Sequence, residues 1–364
     1  MMFPRARATY AALASLSALG LALTACSSSG TASAGQATNS AATGAPTTQA
    51  SNSALSAVCQ KGQSEGEVDY FTEQDPSIFA KEAKPFEAQY PGIKVKITQL
   101  EPQDQVSRVL TEIQAHHKLD ADVLAGDPES DLPLFKGGDI QPVDLTKYGV
   151  PANLGVQILG TTVFVTQRVF HGIGYNTKQY KASDIPDTWQ GLVDPKLAGK
   201  ISVDPRGKWI APLVTNSNWG PTKTFSWYQD LLKTDKPQVV KGVTDSLTKV
   251  VSGEVPITTS ARSAEVEQLA AGGAPVAIKY LDVVPVDEVV VPLLKNAPHP
   301  NAATCFMAWL TGPVSQAQQF KYEFKTNGPT PKGMPANATL TNDLTEQNIN
   351  EIAAIETKMS AITK

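Results

Sequence analysis

Residues 67–125 read EVDYFTEQDPSIFAKEAKPFEAQYPGIKVKITQLEPQDQVSRVLTEIQAHHKLDADVLA, and the spacing of their apolar residues alternates between two periods. Glu67 to Thr72 is a short β-prone run. From Pro76 to Tyr90 the residues Ile78, Phe79, Ala83, Phe86 and Tyr90 fall at helical spacing, and Pro91-Gly92 ends that helix. Ile93 to Ile97 alternates strictly, as a half-buried strand does. Asp104 to His117 returns to helical spacing through Val106, Val109, Leu110 and Ile113, and Ala121 to Ala125 is another strand. Strand, helix, strand, helix, strand joined by short turns predicts an α/β fold with a parallel sheet covered by helices. Ligands of such sheets gather at the carboxyl ends of the strands.

Towards the carboxyl end the pattern continues, with strands expected at 161–165, 171–175, 200–203, 254–259, 276–280 and 286–292. Helices are expected near 222–232, 239–251, 261–271, 301–310, 315–320 and 342–362. Two β-prone passages, near 161–173 and 284–292, suit two lobes joined by two crossings.

Towards the amino end the composition changes. The chain has 364 residues, 41% hydrophobic and 18% charged, with 31 basic and 35 acidic side chains and a formal charge of −4. That balance offers no positive field to a phosphate backbone, so nucleic acid is not an expected partner. Residues 1–25 carry Arg5 and Arg7, an apolar run from Ala11 to about Leu23 and then small residues, which is the pattern of a secretion signal. The run is shorter than a membrane span requires. Residues 26–57 are rich in Ser, Thr, Ala, Gly, Asn and Gln, without charge or aromatic ring, and are expected to form a flexible tether. A random coil of that length spans about 30 Å. Three cysteines occur, Cys26, Cys59 and Cys305. In an oxidising compartment Cys59 and Cys305 either form a disulfide or remain buried thiols.

Several stretches resemble known families. Leu23-Thr24-Ala25-Cys26 resembles the lipobox of bacterial lipoproteins, which implies a diacylated Cys26 holding the chain to the outer face of the cell membrane. Residues 67–97 resemble the opening of type II periplasmic binding proteins, and Gly172-Ile173-Gly174-Tyr175-Asn176-Thr177 resembles their return strand. The stretch from Pro186 to Pro205, PDTWQGLVDPKLAGKISVDP, is similar to the start of the second lobe in the iron(III)-, polyamine- and aminoethylphosphonate-binding proteins of ABC importers. Gly272 to Val276 and Lys295 to Pro300 match later landmarks of that group. The resemblance implies two α/β lobes, each a mixed sheet flanked by helices, with two hinge crossings and a solute held in the cleft. Its expected partners are a small-molecule solute and an ABC permease, with membrane contact through the lipid anchor alone. A monomer without cofactor is expected. The corresponding boundaries are lobe 1 at 58–168, lobe 2 at 169–284, a return to lobe 1 at 285–325 and a C-terminal helical segment at 326–364.

Iron-binding members of the group hold ferric iron through a pair of adjacent tyrosines after the strand that here ends near Thr259. This chain reads Ile257-Thr258-Thr259-Ser260-Ala261-Arg262 instead. With the tyrosines absent and His116, His117, His171 and His299 scattered, no metal cluster is expected. Thr259, Ser260 and Arg262 offer hydroxyls and a guanidinium that suit a carboxylate, phosphonate or sulfonate, or they are an N-cap with an exposed arginine. Arg206 and Trp209 follow a strand and are expected to face the cleft, where Trp209 either stacks on the solute or packs between the lobes. From lobe 1, Thr72, Glu73 and Asp127 lie at strand ends, where the two acids suit an amino group or are solvated turn residues. Together they suggest an anionic or zwitterionic solute, with ferric iron held by other ligands as the alternative. The acidic run of Asp120, Asp122, Asp127, Glu129 and Asp131 reads as surface charge around a strand. A secreted hydrolase finds no support, since Gly-x-Ser-x-Gly, His-Glu-x-x-His and P-loop motifs are all missing.

Overall fold

The computed structural model describes residues 52–328, 330–341 and 345–363. The expected signal, Cys26 and the tether as far as residue 51 lie outside the described residues. Residues 53–57, expected to be tether, are instead the first turns of α1 (Ser53–Glu65). Asn52 caps this helix by accepting the N–H groups of Ala54 and Leu55, and Gly66 closes it in the left-handed conformation at φ 91°.

Lobe 1 continues through β1 (Glu67–Thr72), α2 (Pro76–Glu82), α3 (Lys84–Gln89), β2 (Lys94–Gln99), α4 (Pro102–Gln114), β3 (Val123–Leu124), α5 (Pro128–Gly137), β4 (Ile140–Gln141) and β5 (Gly155–Ile158). The single helix expected over 76–90 is two, because Pro85 lacks the N–H that would continue the first and instead sits in the opening turn of the second. The helix α5 had no counterpart in the sequence reading, where its acids and the internal Pro133 obscured the period. β1 pairs in parallel with β2 on one side and with β3, the central strand of the sheet, on the other.

The chain then enters β6 (Thr161–Asn176), a single 16-residue strand where two short ones were expected. In lobe 2 follow β7 (Ile201–Val203), α6 (Gly220–Asp235), β8 (Gln238–Val239), α7 (Val243–Ser252), β9 (Ile257–Arg262), α8 (Ser263–Ala271) and β10 (Val276–Lys279). The return runs through β11 (Val283–Val290), β12 (Leu293–Leu294), α9 (Pro300–Leu310) and α10 (Pro313–Glu323), and β13 (Thr339–Thr341) and α11 (Glu346–Ile362) complete the described chain. The C-terminal segment is thus not purely helical, since β13 pairs with β11.

Two sheets result, ordered β2-β1-β3-β12-β4 and β13-β11-β6-β9-β7-β8. β6 joins the two lobes. Val163, Phe164 and Val165 pack among lobe 1 residues such as Phe71, Val123 and Phe306, whereas Ile173 and Tyr175 pack with Trp189, Leu231 and Ile257 of lobe 2. β11 runs antiparallel beside β6 over Val286–Val290, from the second core back to the first, so the two strands are the hinge crossings. Ile352, Ile355 and Met359 of α11 belong to the lobe 2 core. Cys59 of α1 and Cys305 of α9 are joined by a disulfide, which decides between the two alternatives read from the sequence.

Candidate functional site

The cleft between the lobes collects the ends of several elements. Lobe 1 contributes Thr72, Glu73 and Gln74 after β1, and Gly126, Asp127 and Glu129 around the turn from β3 into α5. Thr72 is buried, with its hydroxyl accepting the Gln74 N–H at 3.2 Å. Asp127 is the N-cap of α5, its carboxylate accepting the Glu129 N–H and the Ser130 hydroxyl. Gly126 allows the turn to approach the hinge. Its N–H donates to the Val290 carbonyl at 2.7 Å, and an added Cβ would lie 2.9 Å from Pro292 and closer still to Asp131.

Lobe 2 contributes Lys208 and Trp209 after β7 and Arg262 at the end of β9, while the hinge supplies Val169, Asp287 and Glu288. The Trp209 indole is stacked on His171 with centroids 4.5 Å apart, and the Arg262 guanidinium lies 5.9 Å from its centroid. His171 Nε2 in turn lies 2.8 Å from Asp287 Oδ2. Trp209 is therefore a packed wall of the cleft. Glu323 and Lys325 close one side, and Glu356 reaches in from α11.

Seven carboxylates line this cleft, Glu73, Asp127, Glu129, Asp287, Glu288, Glu323 and Glu356, against three cations, Lys208, Arg262 and Lys325. One carboxylate is compensated from outside the lining, since Arg168 Nε donates to Glu288 at 2.7 Å. Four of the others are raised by burial and by neighbouring acids. Burial, reinforced by Asp127, Glu356 and Asp287, pushes Glu129 up to about 8. Burial raises Asp127, Glu323 and Glu356 as well. Burial also acts on Asp287, yet His171, Lys208 and Arg262 outweigh it and hold this carboxyl below its ordinary value. Lys208 is the reverse case, where burial favours the neutral amine and Asp287, Asp127, Glu129 and Glu356 hold it charged.

Of the residues singled out from the sequence, the structure brings Thr72, Glu73, Asp127, Trp209 and Arg262 to the cleft lining. Arg206 is not among the lining residues, because Asp204 takes its guanidinium with bonds of 2.9 and 2.7 Å. Thr259 and Ser260 are also outside the lining, buried within β9, where the Thr259 hydroxyl donates to the Ser202 carbonyl. The helix expected to begin at Ala261 starts at Ser263, so these hydroxyls do not sit at a helix N-terminus. Lys208, Glu129 and Asp287 were missed. The pair Asp287-Glu288 inside an otherwise apolar strand was a usable signal, whereas nothing local marked Glu356.

One further expectation is corrected. The acidic run is not simply surface charge, because Asp122 and Asp131 are buried and Asp127 and Glu129 line the cleft. The four histidines remain apart from one another, but folding sets His299 beside Glu67 and Asp69, at a distance in sequence that conceals the grouping.

Two α/β lobes, two hinge strands and a cleft lined by charged side chains define a two-lobed binding protein. The chain belongs to the bacterial extracellular solute-binding protein family, whose sequence model matches residues 70–317. It has the type II fold of the solute-binding proteins of ABC importers, as the resemblance implied. Among solved structures it is similar to iron-bound HitA from Pseudomonas aeruginosa, with TM-score 0.66 and 18% identity over 80% of this chain and 99% of that one. The ferric iron-binding protein A of Mannheimia haemolytica in an open conformation gives 0.64 and 17% over 81% and 98%. An ABC transporter substrate-binding protein from Bradyrhizobium japonicum gives 0.63 and 14% over 82% and 100%. No curated protein matches the chain. The family places the protein on the extracytoplasmic side of the membrane, and no helix among the described residues is long and apolar enough to cross one.

Proposed function

We propose that the protein captures a small solute carrying an amino group, a cation or a zwitterion, in this cleft and delivers it to an ABC permease. The reading rests on the excess of carboxylates over cations in a partly buried lining. Crowded, desolvated carboxylates are costly, and a bound ammonium relieves them. The purely anionic solute suggested by the sequence loses support, because Arg206 is engaged by Asp204 and Arg262 is paired with Glu265. The zwitterionic part of that expectation remains, with Lys208 available to a carboxylate. We read the protein as a monomeric binder without catalytic activity, held to the membrane by a lipid on Cys26.

Thermal-shift and calorimetric titration against amines, amino acids, small carboxylates, phosphonates and ferric iron test the reading. Stabilisation by an amine or amino acid is the expected result. Stabilisation by simple carboxylates or phosphonates alone would sink it. Ferric iron is the second reading, favoured by the iron-bound HitA and ferric-binding relatives among the similar structures. Against it stands the missing tyrosine pair, and among the described residues no three His, Cys, Asp or Glu donors within the cleft lining lie close enough to share an ion.

A further inference from the structure

Glu67 and Asp69 begin β1, at the end of the strand away from the cleft. Five steps along the strand separate Glu67 from Thr72, roughly 17 Å at strand rise. Between the two acids sits His299, the residue that precedes α9, with Nε2 3.8 Å from Glu67 Oε1 and Nδ1 3.7 Å from Asp69 Oδ2. Behind the ring is Asp122, fully buried. Its carboxylate accepts the backbone N–H of Asp69 at 2.8 Å and that of His299 at 2.6 Å, and Oδ2 lies 3.0 Å from His299 Nδ1.

Asp122 Oδ2 faces His299 Nδ1, which leaves Nε2, on the side of Glu67, as the ring nitrogen open to a ligand. A carboxylate holding the far nitrogen of an imidazole is the usual support of a metal-ligating histidine. One donor atom from each of Glu67, Asp69 and His299 lies within 4.8 Å of the other two, where a shared ion would need bonds of about 2.0–2.2 Å to each. The present partner of Glu67 is Lys96, whose side chain is 57% exposed and free to swing into water. Two carboxylate ligands match the charge of a divalent ion.

We propose that Glu67, Asp69 and His299 form a binding site for a divalent cation of the zinc class on lobe 1, with water in the remaining coordination positions. None of the three lines the cleft, so the site is independent of solute capture. An ion there ties the start of β1 to the N-terminus of α9.

The test is calorimetric titration of the chelator-treated full chain with Zn²⁺, with Co²⁺ absorption as the spectroscopic check on an imidazole-containing site. One ion per chain is expected. Glu67→Gln and Asp69→Asn should each weaken binding at least tenfold, and Lys96→Ala, which frees Glu67, should tighten it several-fold. Glu129→Gln in the cleft should leave the affinity unchanged. His299→Ala is avoided because it strips a partner from buried Asp122. No Zn²⁺ binding by the parent chain overturns the proposal, as does binding that responds to Glu129→Gln and ignores Glu67→Gln and Asp69→Asn.

Discussion

Glu129 makes the cleft sensitive to pH in a definite direction. Its carboxyl is raised from an ordinary value of 4.5 to about 8 by burial and neighbouring acids. Between those values the folded chain keeps a proton that the unfolded chain has released, so stability falls as pH rises through that window. Glu82, pushed to about 7 by burial and by Glu323, adds to the same slope. Urea unfolding at pH 5, 6, 7 and 8 should show a falling midpoint in the parent chain and a smaller fall in Glu129→Gln. An ammonium solute favours the ionised carboxylate, so its affinity should rise with pH up to about 8 in the parent and respond less in the variant. Asp287 carries a different expectation, because it faces His171, Lys208 and Arg262 together. Asp287→Asn should weaken amine binding by at least tenfold, read by calorimetry, since the best-ionised acid of the cleft is lost. At such positions the sequence was only half legible. It marked strand ends, and so found Glu73 and Asp127, but chose Arg206 over Lys208 because residue type alone does not reveal that Asp204 already holds the arginine.

Elements with a clean period were legible, and those that depend on neighbours were not. β1 and β2 were read within a residue or two, because half-buried strands alternate and their ends are marked by turns. β6 was read as two strands because its middle and its glycines break the alternation. Its burial changes as it passes from one core to the other, and its register with β9 shifts between Gly172 and Gly174. The packing of α11 was invisible, since its partner, the turn after β7, is remote in sequence. Gly207 in that turn adopts φ 67°, and a Cβ there would fall 2.5 Å from Met359 Sδ and 2.8 Å from its Cβ. Gly207→Ala should therefore force α11 away from lobe 2 and cost about 1–3 kcal/mol, measured by urea unfolding. Because Glu356 moves with the helix, the same variant should also weaken solute binding.

For the molecule as a whole, one cross-link closes a very long loop. Cys59 and Cys305 are 246 residues apart in sequence, so the bond restricts nearly the entire folded chain when it unfolds. The double variant Cys59→Ala, Cys305→Ala should lose about 2–5 kcal/mol in guanidinium unfolding, with solute affinity retained because neither residue lines the cleft. α1 is held at two more points, once to α9 and once to the turn at Leu145–Tyr148. Glu65 at the end of α1 accepts the N–H groups of Asn301 and Ala302 in the first turn of α9, and the Asn52 side chain donates to the Lys147 carbonyl. A pull applied ahead of Asn52 is thereby passed through a covalent bond into α9 and the body of lobe 1. It bypasses β6 and β11, the two strands that cross between the lobes. Force entering at the amino end of α1 is thus carried by lobe 1 alone and leaves the crossing strands unloaded.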